Sequence, residues 1–179
     1  MAKIPAPVSM AAVAWAATSS DCSMSKDRDN KKEVEVRQRL RAAFANVPCP
    51  DDFRAANACG PVLHSVCLEL RRDFYNYESE EIHYLLPFIL EDMMDTRKGS
   101  DIETEDAELL IMQLNPKGSG SEIVERIRTE SFSRFTPEQS QAVCEWLRLA
   151  RGWDDLSRFT DYVDASIEYW CGRAAIENL

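Results

Sequence analysis

Residues 135–150 read FTPEQSQAVCEWLRLA, and this stretch decides the fold class. Thr136 offers a hydroxyl cap, Pro137 a preset φ at the first helical position, and Glu138 an acid in the first turn. Gln139, three residues after the cap, completes the pattern of a capping box. Behind it Val143, Trp146, Leu147 and Ala150 follow the i, i+3, i+4, i+7 rule, so one face of the helix turns inward.

The same reading extends outward in both directions. Toward the C-terminus, Val163, Ile167, Trp170, Cys171 and Ala174 predict a last helix over 160–175. Toward the N-terminus, a helix is expected over 122–129, although Ile123, Val124 and Ile127 also suit a short strand. The connector Lys117-Gly118-Ser119-Gly120-Ser121 precedes it. Thr104, followed by Glu105 and Asp106, opens a short helix that carries Leu110, Ile111 and Leu114 inward and ends at Asn115-Pro116.

Ser79 is expected to cap a helix with Glu80 and Glu81 at the positive end of its dipole, and Ile82, Leu85, Leu86, Ile89 and Met93 form its buried stripe. Pro87 in its middle removes a backbone donor and predicts a kink. Leu63, Val66, Cys67, Leu70 and Phe74 mark a helix over 61–74. Val36, Leu40, Phe44 and Val47 mark another over 31–47, stopped by Val47-Pro48-Cys49-Pro50. The fold class is therefore all-α: a compact bundle of six or seven helices, one kinked at Pro87, with no internal repeat.

Composition agrees with a folded chain. Of 179 residues, 45% are hydrophobic and 29% charged, which suits a core rather than a disordered polymer. Residues 1–30 read as a disordered leader or an over-extended start, and 31–179 as a single helical domain. The alanine-rich run from Pro5 to Ala17 lacks the Leu and Phe of a signal peptide, and no segment holds the roughly 20 apolar residues of a membrane span. With Cys22, Cys49, Cys59, Cys67, Cys144 and Cys171 forming no C-x-x-C pair, the cysteines read as reduced thiols of a cytoplasmic protein.

Three landmarks also carry a family resemblance: Phe44 to Pro50 (FANVPCP), Glu81 to Leu90 (EIHYLLPFIL) and Phe135 to Leu147 (FTPEQSQAVCEWL). In that order they resemble an uncharacterised bacterial domain-of-unknown-function family, recognised by its YLLP segment midway and its FTPEQ helix start near the end. The likeness spans about residues 31–175. It implies a compact bacterial domain, and it brings no activity, cofactor or catalytic residue.

Charge is the strongest functional signal. The chain carries 31 acidic and 21 basic side chains, for a net charge of -10. From Asp73 to Glu108 twelve acidic residues face only Arg97 and Lys98. Glu91, Asp92, Asp95, Asp101, Glu103, Glu105, Asp106 and Glu108 lack the glycine turn and ligand order of a calcium loop. They read as a solvated face or as an electrostatic landing site for a basic protein, the second nominating Glu91, Asp92, Asp95, Asp101 and Glu103 as partner-binding residues. Such a field disfavours nucleic acid and anionic membranes, even though Arg28, Lys31, Lys32, Arg37, Arg39 and Arg41 cluster near the N-terminus.

The remaining chemistry is sparse. Cys59, His64 and Cys67 match no common zinc spacing, and His64 and His83 are the two histidines on which a nucleophilic site would have to draw. No catalytic residue, metal ligand or cofactor site is assigned. Tyr75, Tyr77, Tyr84 and Phe88 read as core and rim aromatics, or as the lining of a groove beside Pro87. Two functions stand at this point: an immunity- or accessory-like interaction domain binding a basic partner, and a small-ligand-binding protein or enzyme with an interhelical pocket near Pro87.

Overall fold

The cap at residue 136 forms as its sequence dictates. Thr136 Oγ1 accepts the Gln139 N–H at 3.3 Å, and Gln139 Oε1 accepts the Thr136 N–H at 2.9 Å, so both halves of the box are closed. In the computed structural model, which describes residues 30–51, 74–96, 104–117 and 121–176, this box opens one of six α-helices. They are α1 (30–44), α2 (Ser79–Thr96), α3 (Thr104–Leu114), α4 (Glu122–Ser133), α5 (Pro137–Ala150) and α6 (Thr160–Ile176). Short 3-10 turns cover Phe74–Asn76 and Asp154–Phe159, and there is no strand among the described residues. The expected helix over 61–74, with Cys59, His64 and Cys67, lies outside them, as do Asp101 and Glu103.

By its backbone contacts the chain divides into two compact units, residues 1–35 and 36–179. Of the first, only residues 30–35, the opening of α1, are described. The second holds the core. Leu40, Ile82, Leu85, Leu86, Ile89, Leu90, Leu110, Ile111, Leu114, Val143, Trp146, Leu147, Val163 and Trp170 are fully buried there, the stripes that helical periodicity predicts. Val47, expected within the first helix, lies just beyond its end and is half-buried. The 122–129 segment is helical and continues to Ser133, with Arg128, Ser131 and Phe132 rather than Ile123 turned inward; Ile123 is exposed.

Helix α2 begins differently from its expected cap. The Ile82 N–H bonds to the Glu78 carbonyl, which makes Glu78 the capping residue, and the Glu81 carboxylate reaches back to the Glu78 N–H at 2.8 Å. Ser79, thus relieved of capping, places its hydroxyl 3.0 Å from that of Ser131 on α4. The helix runs on through buried Pro87. Its missing N–H leaves the His83 carbonyl without its i+4 donor, at a cost of about 3 kcal/mol that the enclosed Leu85, Leu86, Ile89 and Leu90 must offset.

Two indoles tie the helices together. Trp146 Nε1–H on α5 donates to the Leu90 carbonyl of α2, and Trp170 Nε1–H on α6 donates to the Leu114 carbonyl at the end of α3, both at 2.9 Å. The second bond satisfies one of the acceptors that a helix C-terminus leaves open. Buried Arg128 does the same one residue on, donating to the Asn115 carbonyl at 3.1 Å. Trp170 also packs against Phe132 and Phe135 at centroid distances of 4.7 and 5.1 Å.

Helices α5 and α6 are antiparallel, since Cys144 meets Cys171 and Arg151 meets Asp164 further along. The first of these contacts corrects the expectation of reduced thiols: Cys144 and Cys171 form a disulfide, with their Cα atoms 5.3 Å apart. Cys171 lies on the inward stripe expected for α6 and Cys144 is fully buried on α5, and the packing of the two helices brings the sulfurs into bonding range. Cys49 is half-buried, with its thiol 3.6 Å from the Pro50 carbonyl.

Two stability measurements check this account. Thr136→Ala removes one side of the capping box and is expected to lower unfolding free energy in urea by about 1 kcal/mol. Opening the Cys144–Cys171 bridge, which spans 27 positions of sequence, is expected to cost about 3–4 kcal/mol on the chain-entropy model, read as a lower thermal midpoint with reductant.

Candidate functional site

Of the nominated carboxylates, Glu91 and Asp95 do not stand free. Arg41 on α1 reaches across to Glu91 on α2, with Nε 2.9 Å from Oε1 and Nη2 2.7 Å from Oε2, a bidentate pair. One turn earlier on α1, Arg37 engages both oxygens of Asp95 at 2.7 and 3.1 Å and also donates to the Glu91 carbonyl at 3.3 Å. Asp92 is half-buried and Asp106 is buried, so the acidic stretch is in part an internal seam between α1 and α2 and in part interior. Arg37 and Arg41, expected on the outer faces of the first helix, are what pair with Asp95 and Glu91.

Beside Pro87 there is a recess of about 230 Å³, lined by Phe44, Val47, Tyr84, Pro87 and Phe88 with Arg41 and Glu91 at its edge. The Tyr84 and Phe88 rings lie 5.5 Å apart along one wall. A hydrogen bond with the Cys49 thiol, helped by burial, pushes the Tyr84 phenol above its ordinary value. This recess is too small for a typical organic ligand.

A larger groove, about 960 Å³, opens one turn back along α2, at His83. Its first wall is the second half of α1 and the segment after it, including Arg39, Ala42, Ala43, Asn46 and Val47. Its second wall is the start of α5, from Thr136 to Ala142, and Ala174 of α6 closes it. Arg39 is ion-paired with Glu145, which also accepts from Gln141 Nε2 at 2.9 Å.

The hydrogen bonds at its base fix the chemistry of the imidazole. Gln139 Oε1 accepts the Thr136 N–H, while Gln139 Nε2 donates to the Ala43 carbonyl at 3.3 Å. Those two partners leave only one orientation for the carboxamide. Since His83 Nε2 lies 2.8 Å from the same Oε1, which can only accept, Nε2 must carry the proton. In the neutral ring Nδ1 is therefore the lone-pair nitrogen, and no protein group among the described residues engages it. Phe135 at 4.7 Å and Phe44 at 6.0 Å hold the ring in place.

His83 also borders a second recess of about 630 Å³, lined by Val47, Pro48, Cys49, Pro50 and Asp51 together with the Glu80–Arg134 ion pair. The imidazole thus stands between two openings, with the non-helical residues 47–50 passing alongside. Its orienting partner is a carboxamide rather than the carboxylate of a nucleophilic triad, so the arrangement presents a hydrogen-bond acceptor and supplies no charge relay. Among the described residues no three His, Cys, Asp or Glu side chains converge as a metal site, and no helix is long and apolar enough to cross a membrane.

Sequence reading named His83 only as one of two histidines, and Gln139 only as a capping residue. The groove was out of its reach, because its walls come from positions about 90 residues apart that become neighbours only when α1 docks on α5. A family model, "Family of unknown function (DUF6714)", matches residues 73–174. The EIHYLLPFIL and FTPEQ landmarks lie within that range and FANVPCP lies ahead of it. No curated protein and no solved structure matches the chain.

The seam is checked by a double-mutant cycle on Arg41→Ala and Glu91→Ala. With the arginine well exposed, a coupling energy of about 0.5–1 kcal/mol is expected, shrinking as salt is raised. A coupling of zero at low salt would mean that the two side chains do not hold each other.

Proposed function

The chain belongs to DUF6714, a family of unknown function, and from that premise we propose that it is a ligand-binding protein whose site is the groove at His83. The single observation behind this reading is an oriented imidazole at the base of a large groove, with Nδ1 left over as an acceptor. The volume lies within the range of small-molecule sites, and the lining has their composition. Ala42, Ala43, Val47, Pro48, Ala142 and Ala174 supply apolar walls. Asn46, His83 and Gln141 supply a few polar groups that can orient a guest.

The ligand class follows from those groups. A compact organic molecule fits, largely apolar, that presents an N–H or O–H donor to His83 Nδ1 and further polar atoms to Asn46 or Gln141. The family match covers His83, the α5 wall and Ala174, whereas the α1 wall precedes it. The shared part of the site would thus be the imidazole and its carboxamide, and α1 the part that shapes what enters.

A basic protein as partner has less to stand on. Such a partner would have to displace Arg41 from Glu91 and Arg37 from Asp95, exchanging one set of ion pairs for another with little net gain. The groove asks for no such exchange.

A fragment screen followed by amide chemical shifts tests the proposal. Binders are expected to perturb Asn46, Gln139 and Gln141 together. Ala42→Trp, at an exposed position on the groove wall, should weaken them by about tenfold or more, and His83→Ala, which removes one hydrogen bond of about 1 kcal/mol, by about fivefold. If binders leave those amides unmoved, or bind the Ala42→Trp protein equally well, the groove is not the site.

A further inference from the structure

The disulfide and the groove share a helix turn. Cys171 and Ala174 are three residues apart on α6, and therefore on the same face, and Ala174 closes the groove whose α5 wall ends at Ala142, two residues before Cys144. The final turn of α6 ends at Ile176, where a helix ordinarily frays because its last carbonyls have no intrahelical donors. Its long-range ties include the disulfide at Cys171 and the Arg173 guanidinium, whose Nη2 donates to the Phe135 carbonyl at 3.2 Å. The Phe135 ring is in turn the closer of the two that hold His83.

We infer that the Cys144–Cys171 disulfide is a redox latch on the His83 groove, keeping the α6 wall in place when oxidised and releasing it when reduced. The inference rests on the groove being the binding site. Cys171 is half-buried and Cys144 fully buried, so the less buried cysteine is the point of attack. A dithiol reductant supplies both electrons: one of its thiolates bonds to Cys171 Sγ, and Cys144 leaves as a thiolate and takes up a proton. The second reductant thiolate then closes its own disulfide and releases Cys171, which is protonated in turn. The products are two protein thiols and an oxidised dithiol.

Reduction leaves the α5 cap and the indole bonds untouched. It removes the covalent tie nearest the end of α6, so the last turn opens more often, Ala174 leaves the wall and Arg173 leaves Phe135. Local opening of this kind costs less than global unfolding and is read by amide hydrogen exchange.

The full chain is compared oxidised and after dithiothreitol, with alkylation and mass measurement confirming the state of each cysteine. Amides of residues 172–176 are expected to exchange about tenfold faster or more in the reduced protein, beyond whatever acceleration the lower global stability brings to residues 146–150, and Cys171→Ser to behave as the reduced form does. Nile red serves as the groove probe; its affinity should fall about fivefold or more on reduction and recover on reoxidation. Unchanged exchange at 172–176, or an acceleration there no greater than at 146–150, overturns the latch. Dye binding that Ala42→Trp blocks but reduction leaves unaltered also overturns the latch while the groove stands. Dye binding indifferent to Ala42→Trp counts instead against the groove, and with it against the regulation of that groove.

Discussion

The carboxamide of Gln139 is the joint on which the architecture around the groove depends. It is nearly fully buried and makes three bonds, to the Thr136 N–H, the Ala43 carbonyl and His83 Nε2. Those partners belong to the cap of α5, to α1 and to α2, so one planar group sets the spacing of three helices. A carboxylate in its place would lose the donor to Ala43, and a shorter amide would not span the distance. Each bond contributes only about 1 kcal/mol, but leaving any of these buried groups unpaired costs more, which makes the arrangement specific.

Around that joint aromatic side chains join the aliphatic core. Phe132, Phe135, Trp146 and Trp170 remove large apolar surfaces from water, and the two indole N–H groups find backbone carbonyls on neighbouring helices instead of being stranded. The same contacts accommodate Pro87. A proline amid isolated solvated residues would break α2, whereas here the surrounding leucines and isoleucines are enclosed whether or not one backbone bond is missing.

Electrostatics plays a different part from the one that charge counting suggests. A run of carboxylates along the chain is a linear fact, and the field that a partner meets depends on which cations fold against it. Arg37 and Arg41 come from the most basic part of the chain and Glu91 and Asp95 from the most acidic, and the pairing joins the two. In each pair one partner is largely covered and the other well exposed to water, so the pairs align α1 on α2 more than they stabilise it.

What the amino-acid sequence determined by itself was local. The α5 start, the inward stripes of α1, α2, α3, α5 and α6, and the all-helical class follow from capping chemistry and a 3.6-residue period, both of which act within one segment. Tertiary structure decided the rest: that Glu78 rather than Ser79 caps α2, that two thiols are joined, that Glu91 and Asp95 are paired with arginines, and that His83 faces Gln139. Those partners lie far apart in sequence, 56 positions for His83 and Gln139 and 50 for Arg41 and Glu91. Nothing in either segment alone encodes the distance between them, because it is set by how the helices pack and only then by which polar groups the packing leaves in reach.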